Sequence, residues 1–402
     1  MTASENKRFR RGRGCVGKSG PALVAFTFAC LLAATSGIIA QHEWDNNGGG
    51  GNYQWTTANN WNPDTIPTSN DETRINAACS QANPVLINGG NTAYTYKLNI
   101  GSSGGSAGYL KLDNGYLTNS SAVESYIGNA GIGWVHLVSG DLDLDGDLYI
   151  GNAAGSAGTC LIEGGRFCNE PFGDNIYLGF SNSSIGTVVV SNGLFRSGYD
   201  IHVGRGGRGE LYVMGGAVTL SRDIKIGYSA GSTGLISLQS GSVDVEQELY
   251  VGYNGIGSCI VNTNLTCRTL IIGSGSNSIG YVEVGATGKL TVGGNSTMVV
   301  GGDGSGTLIV KGGTFGTSND GNLSVRTNAA SYGVCRGWGK CISSSQIINN
   351  GLIIADGEGS QNDLDLRTMN GSGAGDARVN LIDNVSSNGW YAQNNWRLLL
   401  DS

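Results

Sequence analysis

Asp200, His202, Asp223, Lys225 and Glu248 are the side chains of this chain best suited, by type, to carry chemistry. Their spacing is regular. Asp147, Asn175, Asp200, Asp223 and Glu248 stand four residues before Gly151, Gly179, Gly204, Gly227 and Gly252. Tyr126, Tyr149, Tyr177, His202, Lys225 and Tyr250 stand two residues before a glycine of the same series, which begins with Gly128 for Tyr126. Offsets of equal parity put both sets on one face of a strand. If successive copies stack about 4.8 Å apart, two carboxylates on neighbouring rungs approach the separation of a retaining glycosidase pair. Tyrosines beside acids suit a second chemistry, ring stacking on sugars with hydrogen bonds to their hydroxyls. Two facts weigh against catalysis. Any two stacked acids share that separation, and the chain has 3 histidines with no Ser/His/Asp grouping. The expectation is therefore no catalytic residue, and a carbohydrate-binding face of Tyr126, Tyr149, Tyr177, Asp200, His202, Asp223 and Tyr250.

Three other motifs invite a ligand. "DLDLDGDL" (Asp141 to Leu148) opens like a calcium loop, which makes Asp141, Asp143 and Asp145 a metal candidate. Its twelfth position is Asn152 where a bidentate Glu is needed, and alternating Asp and Leu reads equally as a strand with leucines inward. "GRGGRGE" (Gly204 to Glu210) and Gly151, Gly155 and Gly158 resemble phosphate loops, but neither is followed by a helix or by Lys-Ser/Thr. Both read as corners, and no cofactor is expected. Of the 9 cysteines, Cys160/Cys168 and Cys259/Cys267 share one spacing and Cys335/Cys341 closes a short loop. None has zinc-site spacing, so these six are disulfide candidates or buried thiols, and Cys79 is left over.

The glycines that mark these positions reveal the architecture. An apolar-x-apolar-Gly signature closes at Gly101, Gly128, Gly151, Gly179, Gly204, Gly227, Gly252, Gly273 and Gly301, a mean period of 25 with intervals from 21 to 28. Each signature is followed by a small-residue turn and a strand opened by Gly, such as "GTCLIEGG" or "GTVVVSNG". A third short strand follows, such as "LFRSG" or "AVTLS". Three strands and three corners per period predict an all-β, single-chain parallel β-solenoid of about nine coils, capped at both ends. The first and third signature residues, Leu148 and Ile150 for example, should fill the core.

The ends of the chain differ from the array. Residues 1–40 hold six basic residues and one acid, then an apolar run from Pro21 to about Leu32 and small residues up to Ala40. That order reads as an export signal cleaved near Ala40, with an uncleaved anchor helix as the alternative. Residues 41–97 form an N-terminal capping segment, residues 98–325 the array, and residues 326–402 an irregular cap where Trp390, Tyr391 and Trp396 are placed to close the last rung. The chain's formal charge is −7, so the part after residue 40 is near −12, which argues against nucleic acid as a partner. No second apolar run of spanning length follows, so no membrane span is expected after cleavage. With 69 glycines but only 5 prolines, a collagen-like reading is excluded.

The repeat, read as L-y-V-G, a small-residue turn and G-t-l-t-V-x-x-G-G across about Leu98 to Val310, resembles the bacterial autotransporter/PEP-CTERM-associated repeat proteins. The preceding Trp55, Ala58, Asn60, Trp61, Pro63 and Pro67 are similar to the segment that often introduces such arrays. The resemblance implies an exported, surface-associated β-helix, commonly an adhesin-like region, and implies no reaction. The anchors that name the family, a Pro-Glu-Pro segment with a membrane helix or an outer-membrane barrel, do not follow the array in this sequence. The expected function is that of a structural or adhesin-like solenoid at the cell surface, in the envelope or periplasm, or outside the cell. Its expected partners are surface polysaccharide or further copies of itself. The alternative is a carbohydrate-binding or carbohydrate-processing β-helix that uses the Asp/Tyr face.

Overall fold

The inward residues of the repeat are Leu, Ile, Val and Phe at alternating positions, and a single coil has nothing to bury them against. Stacking resolves this. The computed structural model describes residues 39–49, 51–119, 121–170, 173–293, 296–318, 321–327, 331–343, 346–355, 364–368 and 378–381. Residues 1–38 of the expected export signal (1–40) and the tail carrying Trp390, Tyr391 and Trp396 lie outside them. The chain is all-β, with stacked parallel strands forming a β-solenoid of about 11 turns, slightly more than the nine expected. Among the described residues the one helical segment is a single 3-10 turn, Ala58–Asn60.

Each coil contributes to three walls. The first wall holds the signature strands, with Leu148–Ile150 between Ser125–Ile127 and Ile176–Leu178 in unshifted register. The second wall holds the strands opened by Gly, among them Ala157–Ile162 and Ile185–Val190, and the third holds Arg166–Asn169 and Leu194–Ser197. Strands of the first wall are present before and after the signature array. Ala40–Trp44 pairs in parallel with Asp71–Ile75, which pairs with Lys97–Ile100. Beyond the last signature, Asn322–Val325, Gln346–Asn349 and Arg378–Leu381 continue the ladder. In several coils two of the three short strands fuse across a corner, as in Ile132–Asp143 and Ser242–Val251. Gly140, inside the first of these, takes φ 91°, so the strand turns while its ladder continues.

The core is a continuous column of stacked side chains. Leu148, Ile150, Ile162, Phe167, Ile176 and Leu178 are fully buried, and Phe167 meets Phe195 of the next coil edge-on at 5.5 Å. Each such aliphatic side chain contributes roughly 1.5–3 kcal/mol by leaving water. At the signature corner glycine is required twice over. Gly151 has φ 73°, and a Cβ there would overlap the carbonyl oxygen of Ile185, with the carbonyl carbon at 2.6 Å. Gly158 offers the reciprocal surface, since its added Cβ would overlap the carbonyl oxygen of Ile127 in the coil before. The corner of one coil thus rests on the backbone of its neighbours.

The tryptophan motif packs at the first described strands. Trp44, Trp55 and Trp61 are buried, with Trp61 edge-on to Trp44 at 5.0 Å and to Trp55 at 4.8 Å. Trp61 Nε1 donates to the Trp55 carbonyl at 2.8 Å, and the buried Asn60 side chain donates to the carbonyls of Asn52 and Gln54. Trp61 and Asn62 also pair antiparallel with Trp44 and Glu43, which partly covers the first strand's open edge.

Candidate functional site

The expected face is a real ladder on the outside of the first wall. Tyr126 stacks on Tyr149 at 5.0 Å, Tyr149 on Tyr177 at 4.9 Å, and Tyr177 meets His202 at 5.0 Å. Parallel register brings these rings together, because residues two before each closing glycine are direct partners. Tyr250 is not contiguous with them. The rung between holds Lys225, and the connection runs through Tyr228 and Tyr253, which stack on each other at 5.0 Å.

A second column was missed in the sequence. One residue after each closing glycine stand Phe180, Arg205, Tyr228 and Tyr253. Phe180 meets Tyr149 and Tyr177 edge-on at 4.9 and 5.2 Å, and the Arg205 guanidinium lies over Phe180 and Tyr228 at 5.4 and 4.5 Å. The same column begins with Asn129 and Asn152, joined by a 2.7 Å hydrogen bond. Its signal, an aromatic or planar side chain at a fixed offset after the glycine, is present in the sequence.

Two expectations about this face need correction. Ring faces were expected to be open for sugar stacking, but Tyr149 has a tyrosine on either side, and Lys97 Nζ sits 4.9 Å over the Tyr126 ring. The half-buried column presents ring edges and hydroxyls instead. Burial raises the Tyr126, Tyr149 and Tyr250 phenols above their ordinary value and pushes Tyr177 up to about 12, so all are neutral at physiological pH. Asp200, His202 and Asp223 were expected in solvent, yet they are only 4 to 6% exposed. Outward side chains of adjacent coils cover one another.

The acids also have partners. Asp147 Oδ1 accepts from the backbone N–H of Asn175 at 2.8 Å, Asp200 Oδ1 from that of Asp223 at 3.2 Å, and Asp223 Oδ1 from that of Glu248 at 3.1 Å. Each acid therefore ties the entry of its signature strand to the same point in the next coil. Lys225 Nζ sits between two of them, 2.5 Å from Asp200 Oδ2 and 3.2 Å from Asp223 Oδ2. Arg222 Nε lies 3.9 and 3.8 Å from the two carboxylates. Burial opposes ionisation of Asp200, but the neighbouring His202 and the hydrogen-bonded Lys225 outweigh it and hold the carboxyl below its ordinary range. Burial lowers His202, with Asp200, 3.7 Å away, only partly opposing it. Lys225 is raised, its two carboxylates overcoming burial. A catalytic pair needs one carboxyl raised and one free. This arrangement is a compensated ion cluster.

The remaining candidates lie elsewhere. Asp141 and Asp143 alternate outward on the third wall with Leu142 and Leu144 fully buried, and Asp141 faces Arg166 at 3.6 Å. Burial raises the Asp143 and Asp145 carboxyls. Among the described residues no group of three or more His, Cys, Asp or Glu is placed to hold a metal ion. Gly204 to Gly207 form a corner between Ile201–Val203 and Arg208–Val213.

None of the three disulfide candidates is formed, since Cys79, Cys160, Cys168, Cys259, Cys267 and Cys335 are free thiols. Strand parity explains the first pair. Cys160 points into the core beside Val188, whereas Cys168 pairs with Arg196 on the outside of the third wall. Cys259 and Cys267 are both core residues and take the positions held by Ile236 and Val245 in the coil before. Cys335 and Cys341 likewise occupy the positions of Leu308 and Phe315. No protein-family model matches the chain, and no curated protein or solved structure matches it.

Proposed function

We propose that this chain is an exported, non-catalytic β-solenoid of the repeat type it resembles, acting as a structural or adhesin-like element at the cell surface, in the envelope or periplasm, or outside the cell. One observation carries the reading. The polar groups of the most chemically endowed face bond along the stack, acid to backbone N–H and carboxylate to Lys225, rather than toward a substrate. Export rests on the basic and apolar leader before Ala40. N-terminal sequencing of the protein recovered outside the cytoplasm should begin near residue 41, and recovery from the cytoplasm with residue 1 intact would overturn it. Incubation with a polysaccharide panel should release no sugar, and release would overturn the absence of catalysis.

The half-exposed aromatic columns favour a second reading, carbohydrate binding without hydrolysis. Ring edges and tyrosine hydroxyls would then hydrogen-bond a chain lying along the solenoid. Binding to one member of the panel, lost in the Tyr177→Ala plus Tyr250→Ala variant, would favour it.

A further inference from the structure

The second wall carries a feature unrelated to the polar ladder. The first residue of each of its strands points outward, and in register these are Ala107, Ile132, Ala157, Ile185, Arg208, Thr233, Ile256, Ile279, Ser305 and Tyr332. Ile132, Ile185, Ile256, Ile279 and Tyr332 are 42 to 50% exposed, so five of the ten exposed large apolar side chains among the described residues fall on one straight row. The other outward positions of the wall add Leu161, Val189, Leu235 and Ile260, all half-buried. No charged residue points outward from the rungs at 157–161, 185–189, 233–237 or 256–260. On the rung between them Arg208 and Glu210 neutralise each other at 2.5 Å. The other ion pairs of this wall, His136–Glu163 and Glu283–Lys311, lie toward the ends of the row, while the first wall carries the Asp200 cluster and the third Asp141–Arg166 and Arg196–Glu170.

From this we infer that the second wall pairs face to face with the second wall of another copy of this chain, the two solenoids running antiparallel. A two-fold axis along the strand direction, between the Arg208 and Thr233 rungs, makes the surface complementary to itself. Ile185 then faces Ile256 of the second copy and Val189 faces Ile260, while Ala157 faces Ile279 and Tyr212 faces Ser237, so two apolar contacts are accompanied by large residues meeting small ones. Arg208 faces Thr233, and no like charges are opposed. Six rungs at about 4.8 Å and six residues at about 3.3 Å give on the order of 570 Å² per copy. The total of about 1,100 Å² falls in the size class of weak, transient pairs, which suits a reversible dimer.

Sedimentation equilibrium of the full chain from about 1 to about 100 μM tests the pairing. Wild type should show a monomer–dimer equilibrium. Ile185→Lys plus Ile256→Lys should weaken it at least tenfold, with circular dichroism and melting temperature unchanged because both side chains are exposed. A second variant, Ile185→Cys plus Ile256→Cys, keeps the test open should the lysines disturb folding. Its two thiols lie three rungs apart within one copy, beyond disulfide reach, so oxidation should yield a covalent dimer that wild type does not form. A monomer at every concentration would overturn the inference, as would dimerisation unaffected by the lysines, an absent cross-link, or growth past the dimer into longer species.

Discussion

Gly151 and Gly155 sit in one corner with nearly equal φ, 73° and 76°, and differ only in what surrounds them. An added Cβ at Gly155 meets nothing within 4 Å, while at Gly151 it overlaps the Ile185 carbonyl, whose carbon is at 2.6 Å. Gly155→Ala therefore isolates the left-handed backbone cost of about 1–2 kcal/mol, less up to about 1 kcal/mol regained by restricting the unfolded chain. Gly151→Ala adds a collision with the backbone of the next coil, and overpacking of this kind costs about 1–3 kcal/mol even where side chains are able to yield. The backbone here is fixed in the parallel ladder between Ala157–Ile162 and Ile185–Val190, so the upper part of that range applies. The expected difference between the two variants is about 2–3 kcal/mol, with Gly155→Ala near 1. Urea unfolding read by far-UV circular dichroism measures it. Hydrogen exchange adds a local readout, since in Gly151→Ala the amides of the coils on either side should lose protection first. If the two alanines destabilise equally, within about 0.5 kcal/mol, coil-to-coil contact at the signature glycine is not what fixes the period.

Other perturbations follow from the ion cluster and the thiols. Asp200→Ala leaves the Asp223 N–H without its carboxylate acceptor and Lys225 with one partner fewer, an expected loss of about 1–3 kcal/mol in urea unfolding, whereas Asp200→Asn, which keeps an acceptor, should lose less. The pH dependence has a definite sign. His202 is lowered, so the unfolded chain takes up a proton first as pH falls through the ordinary histidine value of about 6.5, and stability declines from there. Asp200 is lowered as well, so its contribution is present above the ordinary aspartate value and disappears as pH falls through the folded one. The melting temperature should therefore drop between about pH 7 and 5 and again below about 4, and His202→Gln should flatten the first step alone. Burial pushes Cys79 up to about 11 and Cys259 and Cys335 up to about 12, and Cys160 and Cys267 are raised too. Iodoacetamide at pH 8 should leave these five thiols largely unmodified until urea is added; rapid labelling of the native protein would contradict their burial.

The period of 25 was legible because its two causes lie within each coil. A positive φ demands glycine at positions such as Gly151, and alternation demands apolar residues such as Leu148 and Ile150 beside it. Both survive in a linear sequence. The rungs outside the signature array were harder to read, because Asp71–Ile75 and Gln346–Asn349 use the same wall without a closing glycine in the pattern. Their membership depends on partners about 25 residues away, such as the pairing of Thr73 with Leu98.

The candidate site shows where parity stops being informative. Alternation identified Asp200 and His202 as outward, and they are, but outward is not the same as exposed. Across a rung of about 4.8 Å, an outward side chain has two neighbours closer than most of its solvent. A column of like residues then becomes its own environment. Tyrosines occupy one another's faces, and each acid caps the next coil's backbone N–H. The same reasoning explains why the second wall was passed over. Its isoleucines precede the glycine that opens each strand, and Ile185 and Ile256 stand one place before the inward series and remain nearly half exposed. On a solenoid, a repeated polar column tends toward self-satisfaction, since stacking supplies its hydrogen bonds. A repeated apolar column on the outside has no such internal remedy, because its neighbours along the stack leave the outer surface in water. The side chains that look least chemical are for that reason the ones still requiring a partner.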